Sequence, residues 1–424
     1  MKRSEIPQQG ILQGVRVVVC AVSIAAPFAG ELMAEMGADV IQIESPRNPD
    51  YAHGGSDPGW MGDAMRRNMR MVTLDVVKPK GKEAFLKLMK ETDIFIESSR
   101  GGQWAGWGLT DEVLWKANPK LVIAHISGFG QTGEKDYVSR ASYDPIAQAF
   151  SGIAYANGDN TMPYFPIAPD VLDFYTAFYT SNSCLAGYIN ALKTGKGESF
   201  DIAQYECGLR TIHQYLLQDL VQDEPEIRSL WIAAELSGAF GNYKCKEGSV
   251  FLLTVGVPVC KAVCELLGLP YGSEEFPAGD YIYPLALPKG QKIDAAMKEF
   301  CLAHTADEVE DILNKHKVPC SKVITYRDML TNRQYKARNS IITYPSTRWE
   351  DPKNPGHPIT IKAPCIPAKA KNHPVEIWRS GVDFGFDTKD VLAELGYSEE
   401  EIQKFFDKKI CVSRQDACRQ YKHI

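Results

Sequence analysis

The chain has 424 residues, 44% of them hydrophobic, with 24% charged residues and a formal net charge of −6. That length buries a large core and predicts two or three domains, while the acidic balance excludes the basic excess of a nucleic-acid binder. The longest mostly apolar run, Val17 to Ala29, is broken by Ser23 and Pro27 and is too short to span a bilayer. With no signal-peptide pattern, a soluble cytoplasmic protein is expected that binds neither nucleic acid nor membrane. The 11 cysteines are scattered with no CxxC pair, and the histidines form no HxxxH or HExxH pair. Free thiols serving mostly as small core residues are expected, with no metal site and no bound cofactor.

In chain order, Val15 to Cys20 reads as a strand buried on both faces, Pro27 to Met36 as a helix stopped at Gly37, and Val40 to Glu44 as a second strand: a βαβ unit. Around the strand-like Met71 to Leu74 stand Arg66, Arg67, Asn68 and Arg70. Arginine forks suit phosphate groups, and an ordinary solvated surface is the alternative. Gly81 to Lys90 predicts a helix, Asp93 to Glu97 a strand followed by Arg100, Thr110 to Trp115 a helix with Thr110 as N-cap, and Leu121 to Ile126 a strand. This alternation predicts an α/β, Rossmann-like large domain with a mostly parallel sheet and ligands beyond the strands' carboxyl ends.

The last of these strands runs into Ser127-Gly-Phe-Gly-Gln-Thr-Gly133, either a loop that lets backbone approach a ligand or an ordinary turn. GxGxxG, GxxxxGK[ST] and GxSxG are all absent, which removes the main support for dehydrogenase, P-loop and α/β-hydrolase readings. Asp173 opens a long helix running to Leu192. It reads as an N-cap, and a carboxylate there is held ionised by the helix dipole and can act as a nucleophile.

Gln222 to Glu226 reads as a linker, and a smaller α+β domain follows. The proline-rich Tyr344 to Pro358 reads as a second linker or extended arm, and Ser398-Glu-Glu-Glu401 as a capping box opening the last helix. The domains are expected at 1–222, 230–335 and 340–424, the last returning to the large domain.

Taken together, these motifs make the sequence recognisable. Ile24-Ala-Ala-Pro-Phe-Ala-Gly30, Gly37-Ala-Asp-Val-Ile-Gln-Ile-Glu44, Asn118-Pro-Lys-Leu-Val-Ile-Ala-His-Ile-Ser-Gly-Phe-Gly-Gln131, Thr194-Gly-Lys-Gly-Glu-Ser199 and Leu395-Gly-Tyr-Ser398 resemble the family III CoA-transferases, the group that holds L-carnitine and bile-acid CoA-transferases. The resemblance implies transfer of CoA from an acyl-CoA to a free carboxylic acid. The catalytic carboxylate would lie 21 residues before Thr194, which is Asp173. It would pass through a mixed anhydride and an aspartyl-CoA thioester, with CoA as substrate and no cofactor.

The resemblance further implies an interlocked homodimer and CoA contacts at Arg100, Arg70, Asn68 and Arg47. At the position just before the Gly-Leu-Thr turn, where many relatives carry an arginine, Gly106 and Trp107 stand instead. An α-methylacyl-CoA racemase is disfavoured, because Tyr143-Asp144 replaces the His-Asp pair such enzymes use; a non-catalytic CoA-binding protein would leave Asp173 as a cap only. For the acceptor, carnitine, crotonobetaine or γ-butyrobetaine is expected, with a bile acid as the alternative. A trimethylammonium group would need an aromatic cradle: Tyr164, Phe165, Phe174, Tyr175, Phe178 and Tyr179 crowd the sequence around Asp173, Trp104 and Trp107 flank the expected CoA site, and any of these rings could instead be core.

Overall fold

The β-branched run near the start forms strand β1 (Arg16–Cys20), whose Val17, Val18 and Val19 are wholly buried in the computed structural model. The structure describes residues 1–47, 50, 60–158, 161–212 and 237–413. These fall into two compact units, one drawn from 1–154, 166–222 and 339–424, the other from 155–165 and 223–338.

The first unit is built on β1, β2 (Asp39–Glu44), β3 (Met69–Thr73), β4 (Ile94–Ser98), β5 (Val122–Ser127) and β6 (Ser199–Ala203). They make one parallel sheet in the order β3-β2-β1-β4-β5-β6. The order reverses between β1 and β4, and in such sheets ligands bind beyond the carboxyl ends at that reversal. Side chains alternate across the sheet. Val17 and Val19 face a core shared with α1 (Ala25–Ala34) and a long helix at 171–194, whereas Val18 faces a second core with α2 (Pro79–Met89), α3 (Asp111–Ala117) and two helices near the carboxyl end, Thr388–Glu394 and Glu399–Asp407. The last of these opens on the expected capping box between Ser398 and Glu401. Thr110 takes the N-cap position of α3, but its side chain makes no capping hydrogen bond to the backbone.

The remaining helices of this unit that bear on the site are α4 (Asp144–Ser151), α5 (Val171–Thr194) and α6 (Gln204–Leu209). The segment expected as a second linker or extended arm lies in an antiparallel ribbon, Ile341–Asp351 with Asn354–Pro364, its register shifting between Pro345 and Glu350. A two-stranded ribbon consists only of edges, and edges are where strands tolerate proline. The expected linker at Gln222 to Glu226 lies outside the described residues.

The second unit has a three-stranded antiparallel sheet of Phe240–Lys244, Ser249–Leu253 and Cys320–Lys322. Its own core includes Tyr243, Cys260, Cys264, Tyr283 and Cys301. Among the described residues every cysteine is free and at least partly buried, so the thiols do act as small core residues. No helix among them is long and apolar enough to cross a membrane.

Candidate active site

Asp173 is not the N-cap of α5. That position belongs to Asp170, whose side chain makes no capping bond, and Asp173 is the third helical residue. The helix start is capped from another element. Asp144, the first residue of α4, accepts the backbone N–H groups of Leu172 (2.7 Å) and Asp173 (3.1 Å) through Oδ2. Its Oδ1 accepts from the Gln148 amide at 2.5 Å, and that amide also exchanges hydrogen bonds with the backbone of Ile167 (3.0 and 2.8 Å). Orphan N–H donors of the first turn are thus met by a carboxylate that arrives through the tertiary fold.

This arrangement changes the expected charge state of Asp173. Its side chain is only 7% exposed, and Oδ1 accepts a hydrogen bond from Nε2 of Gln204, the buried first residue of α6. Burial pushes the carboxyl up and the neighbouring Asp144 charge pushes it further. The Gln204 amide opposes both, and the group settles at about 7. Its place in the first turn of α5 does not hold it at an ordinary carboxylate value, because burial dominates and the Asp144 and Asp170 charges add to the rise. Asp144 is itself raised by burial, against the hydrogen bonds of Gln148 and the two backbone donors. A buried carboxyl raised to about 7 suits nucleophilic or acid–base work near neutral pH.

The loop from Ser127 to Gly133 leaves the carboxyl end of β5. Gly128 packs so closely that a Cβ there would lie 2.1 Å from Cβ of Ser142, and Gly130 adopts φ +92° while its N–H donates to Ser127 Oγ (2.8 Å). The Gln131 N–H donates to the Asp201 carboxylate, and Gln131 Oε1 accepts the Gly102 N–H at 3.1 Å. This loop therefore braces the turn after β4 that carries Arg100.

Arg100 itself is exposed and takes no ion pair among the described residues. Arg47, beyond the carboxyl end of β2, is also exposed and lies 3.2 Å from Asp75. The other two expected CoA contacts are internal. Arg70 is wholly buried with its guanidinium on Asp39 (2.7 Å) and Glu394 (2.8 Å). Asn68 is buried in a left-handed turn, φ +59°, with its amide donating to the Glu376 carbonyl and accepting the Trp378 N–H. Both serve the fold of this unit, so the basic cluster read from sequence is neither a surface nor a phosphate site at these two residues.

A second buried acidic group stands at the ends of β4 and β5. Glu97 and His125 are register partners on these strands. His125 lies 2.8 Å from Glu97 through Nδ1 and 2.9 Å from Asp111 through Nε2. Burial pulls the imidazole down, but the hydrogen bonds of Asp111 and Glu97 outweigh it and hold it at about 9. Burial pushes Glu97 up despite that partner.

Trp104 is core: it packs on Phe85 and Phe95, and its indole N–H donates to Ser99. Phe174 meets Phe28 edge-on, while Tyr175, Phe178 and Tyr179 lie exposed along α5. Phe178 also meets Phe28 edge-on, with ring centroids 6.0 Å apart. No three His, Cys, Asp or Glu side chains gather as a metal site would need among the described residues.

Sequence reasoning singled out Asp173, but it missed Gln148 and Gln204 and weighed Asp144 only as half of an absent pair. The site is assembled from three helices far apart in sequence, and no local pattern marks such a meeting.

Known proteins resemble this chain over nearly its whole length. A bile acid CoA-transferase, BaiK, of Clostridium scindens is 39% identical over 414 residues, covering 97% of this chain and 91% of that protein. Solved structures share the fold: a CAIB/BAIF family protein from Brucella suis (TM-score 0.75, 24% identity, covering 92% of this chain and all of that one) and Rv3272 from M. tuberculosis (0.74, 18%, covering 90% and 99%). The description that matches residues 12–388 is CoA-transferase family III, and by that match and the 39% relative this chain belongs to that family of CoA-transferring enzymes.

Proposed function

We propose that the enzyme moves CoA from an acyl-CoA to a free carboxylic acid with Asp173 as the covalent carrier. The observation that carries this reading is the buried Asp173 carboxyl at about 7, reached by one amide and by no cation among the described residues. Such a carboxylate is poorly solvated when ionised and gains by bonding to an acyl carbon. Arg100, exposed beyond the carboxyl end of β4, is the side chain offered for a CoA phosphate. The outward face of α5, with Tyr175, Phe178, Tyr179, Ile189 and Leu192 all exposed, supports a second copy of the chain covering it. Sedimentation of an active, stable monomer at assay concentration would overturn that assembly.

For the acceptor, a bile acid is the reading favoured by the 39% relative. A betaine such as γ-butyrobetaine is the second, favoured by the number of rings near Asp173 in sequence. A competition assay separates them: one acyl-CoA donor, equal γ-butyrobetaine and a C24 bile acid, products resolved by mass. The bile-acyl thioester is expected to dominate, and exclusive betainyl-CoA would reverse the order.

A further inference from the structure

The Asp173 carboxylate faces an unusual set of neighbours. The charges acting on it are both negative, Asp144 from α4 and Asp170 from its own helix. The packed α6 adds the Cys207 thiol, which burial pushes up to about 11 and which is therefore neutral; no charge from α1, β5 or β6 acts on the carboxylate. Against these stands one favourable group, the Gln204 amide on Oδ1, itself 5% exposed and fixed at the start of α6 by the end of β6. No other hydrogen bond reaches the carboxylate among the described residues. A buried amide aimed at a single oxygen makes the two oxygens of Asp173 unequal.

We propose that Gln204 is a positioning residue for the transfer: its amide fixes Oδ1, leaves Oδ2 as the attacking oxygen, and donates to Oδ1 whenever the aspartyl carbon is itself attacked. The proposal rests on Asp173 being the nucleophile. In the first step an Oδ2 lone pair bonds the thioester carbonyl carbon, the C–S bond breaks, and CoA leaves as thiolate. The thiolate then bonds Cγ of Asp173, the carbonyl pair moves onto Oδ1, and collapse expels the donor acid as its carboxylate, Oδ2 leaving with it. An aspartyl thioester remains. The acceptor carboxylate attacks the same Cγ, again placing charge on Oδ1, and expels CoA thiolate. The thiolate finally bonds the acceptor's acyl carbon, releasing the Asp173 carboxylate and the new acyl-CoA. No proton is consumed, and in both attacks at Cγ the charge gathers on the atom that Gln204 holds.

The test is Gln204→Met, which keeps length and removes the donor, with Gln204→Glu as a second variant. Removing one such donor is expected to lower transfer by about 10²–10³-fold with KM for either substrate moved by no more than about threefold. The acid limb of the pH–rate profile should rise by about one unit in Gln204→Met and further in Gln204→Glu, since a donor to the ionised form is lost. Acyl-CoA followed by hydroxylamine trapping should still mark Asp173 in wild type and in a folded variant. Transfer within about threefold of wild type with an unmoved acid limb in either folded variant would overturn the proposal and make Gln204 a packing residue. No mark at Asp173 in wild type would instead bring down the nucleophile assignment, and this proposal with it.

Discussion

Two pairs of carboxylates lie in the first unit with opposite consequences. Glu97 and Asp111 share His125 between them, and the imidazole stays protonated to about 9. Among the described residues Asp144 meets backbone N–H groups and the Gln148 amide, Asp173 meets the Gln204 amide, and Asp173 stays protonated to about 7. A cation turns the first pair into a clamp joining two strands and a helix. Its absence leaves the second pair with a carboxylate that is costly to ionise and so ready to form a bond. The difference lies chiefly in the partner supplied, since Glu97, Asp144 and Asp173 are all buried and Asp111 is half-buried.

The largest effect should follow from neutralising the second pair. Asp173→Asn is expected to leave below about 1% of wild-type transfer, measured as exchanged thioester. It should also stabilise the fold at pH 8. The carboxyl titrates at 3.8 in the unfolded chain and about 7 when folded, so its contribution is favourable below 3.8 and is lost as pH rises through 7. Removing the charge should recover about 2–4 kcal/mol above pH 7 and almost nothing at pH 4, read as Tm. A variant less stable at pH 8 than wild type would break the comparison.

Next comes the turn beside the first pair. Arg100→Ala should raise KM for CoA thioesters by roughly ten- to a hundredfold, the loss of a charge-assisted contact of about 1.5–3 kcal/mol, while KM for the free acid stays put. Equal changes for both substrates would show that the residue does not touch CoA.

Asp144→Asn sharpens the comparison with a smaller change. The amide oxygen can still accept from Leu172 and Asp173, but its NH2 would face the Gln148 donor, so stability should fall by about 1–3 kcal/mol. With the neighbouring charge gone, the acid limb of transfer should fall by about one unit. An unmoved limb would mean that Asp144 does not act on Asp173.

The smallest effect concerns the clamp. His125 titrates at 6.5 when unfolded and about 9 when folded, so its stabilisation is complete below 6.5 and lost as pH rises through 9. After the burial of Glu97 is set against it, about 1–2 kcal/mol should disappear across that window. His125→Gln should flatten the dependence, visible as a Tm that no longer falls between pH 6.5 and 9.

Much of the sheet could be read from the chain because each strand carries its own signal: the apolar runs at Val15 to Cys20 and Leu121 to Ile126 are local facts. The ribbon at 341–364 was hidden by prolines that a free edge tolerates. Asp173 was legible through a helix start and a motif spacing. Asp144 and Gln204 were not, because their bonds to the start of α5 span 29 and 31 residues and leave no periodic trace. Arg70 misled for the same reason: a basic residue displays its charge in sequence but not its partner, and Glu394 is 324 residues away.

That last pairing has a consequence for synthesis. Arg70 emerges long before Glu394, and at about 5–20 residues per second the gap of 324 residues takes roughly 16–65 seconds. During that interval the edge of the sheet at β3 lacks its carboxyl-terminal partners, including the Thr388 hydroxyl and the Asp387 carboxylate that receive its backbone N–H groups. The first unit therefore completes only after residues 387 to 394 have emerged, with an unfinished strand edge open to pairing with other nascent chains meanwhile. Slowed translation or a premature stop before residue 387 would lengthen or fix that exposure, and the yield of soluble protein would be set there before any enzyme exists to assay.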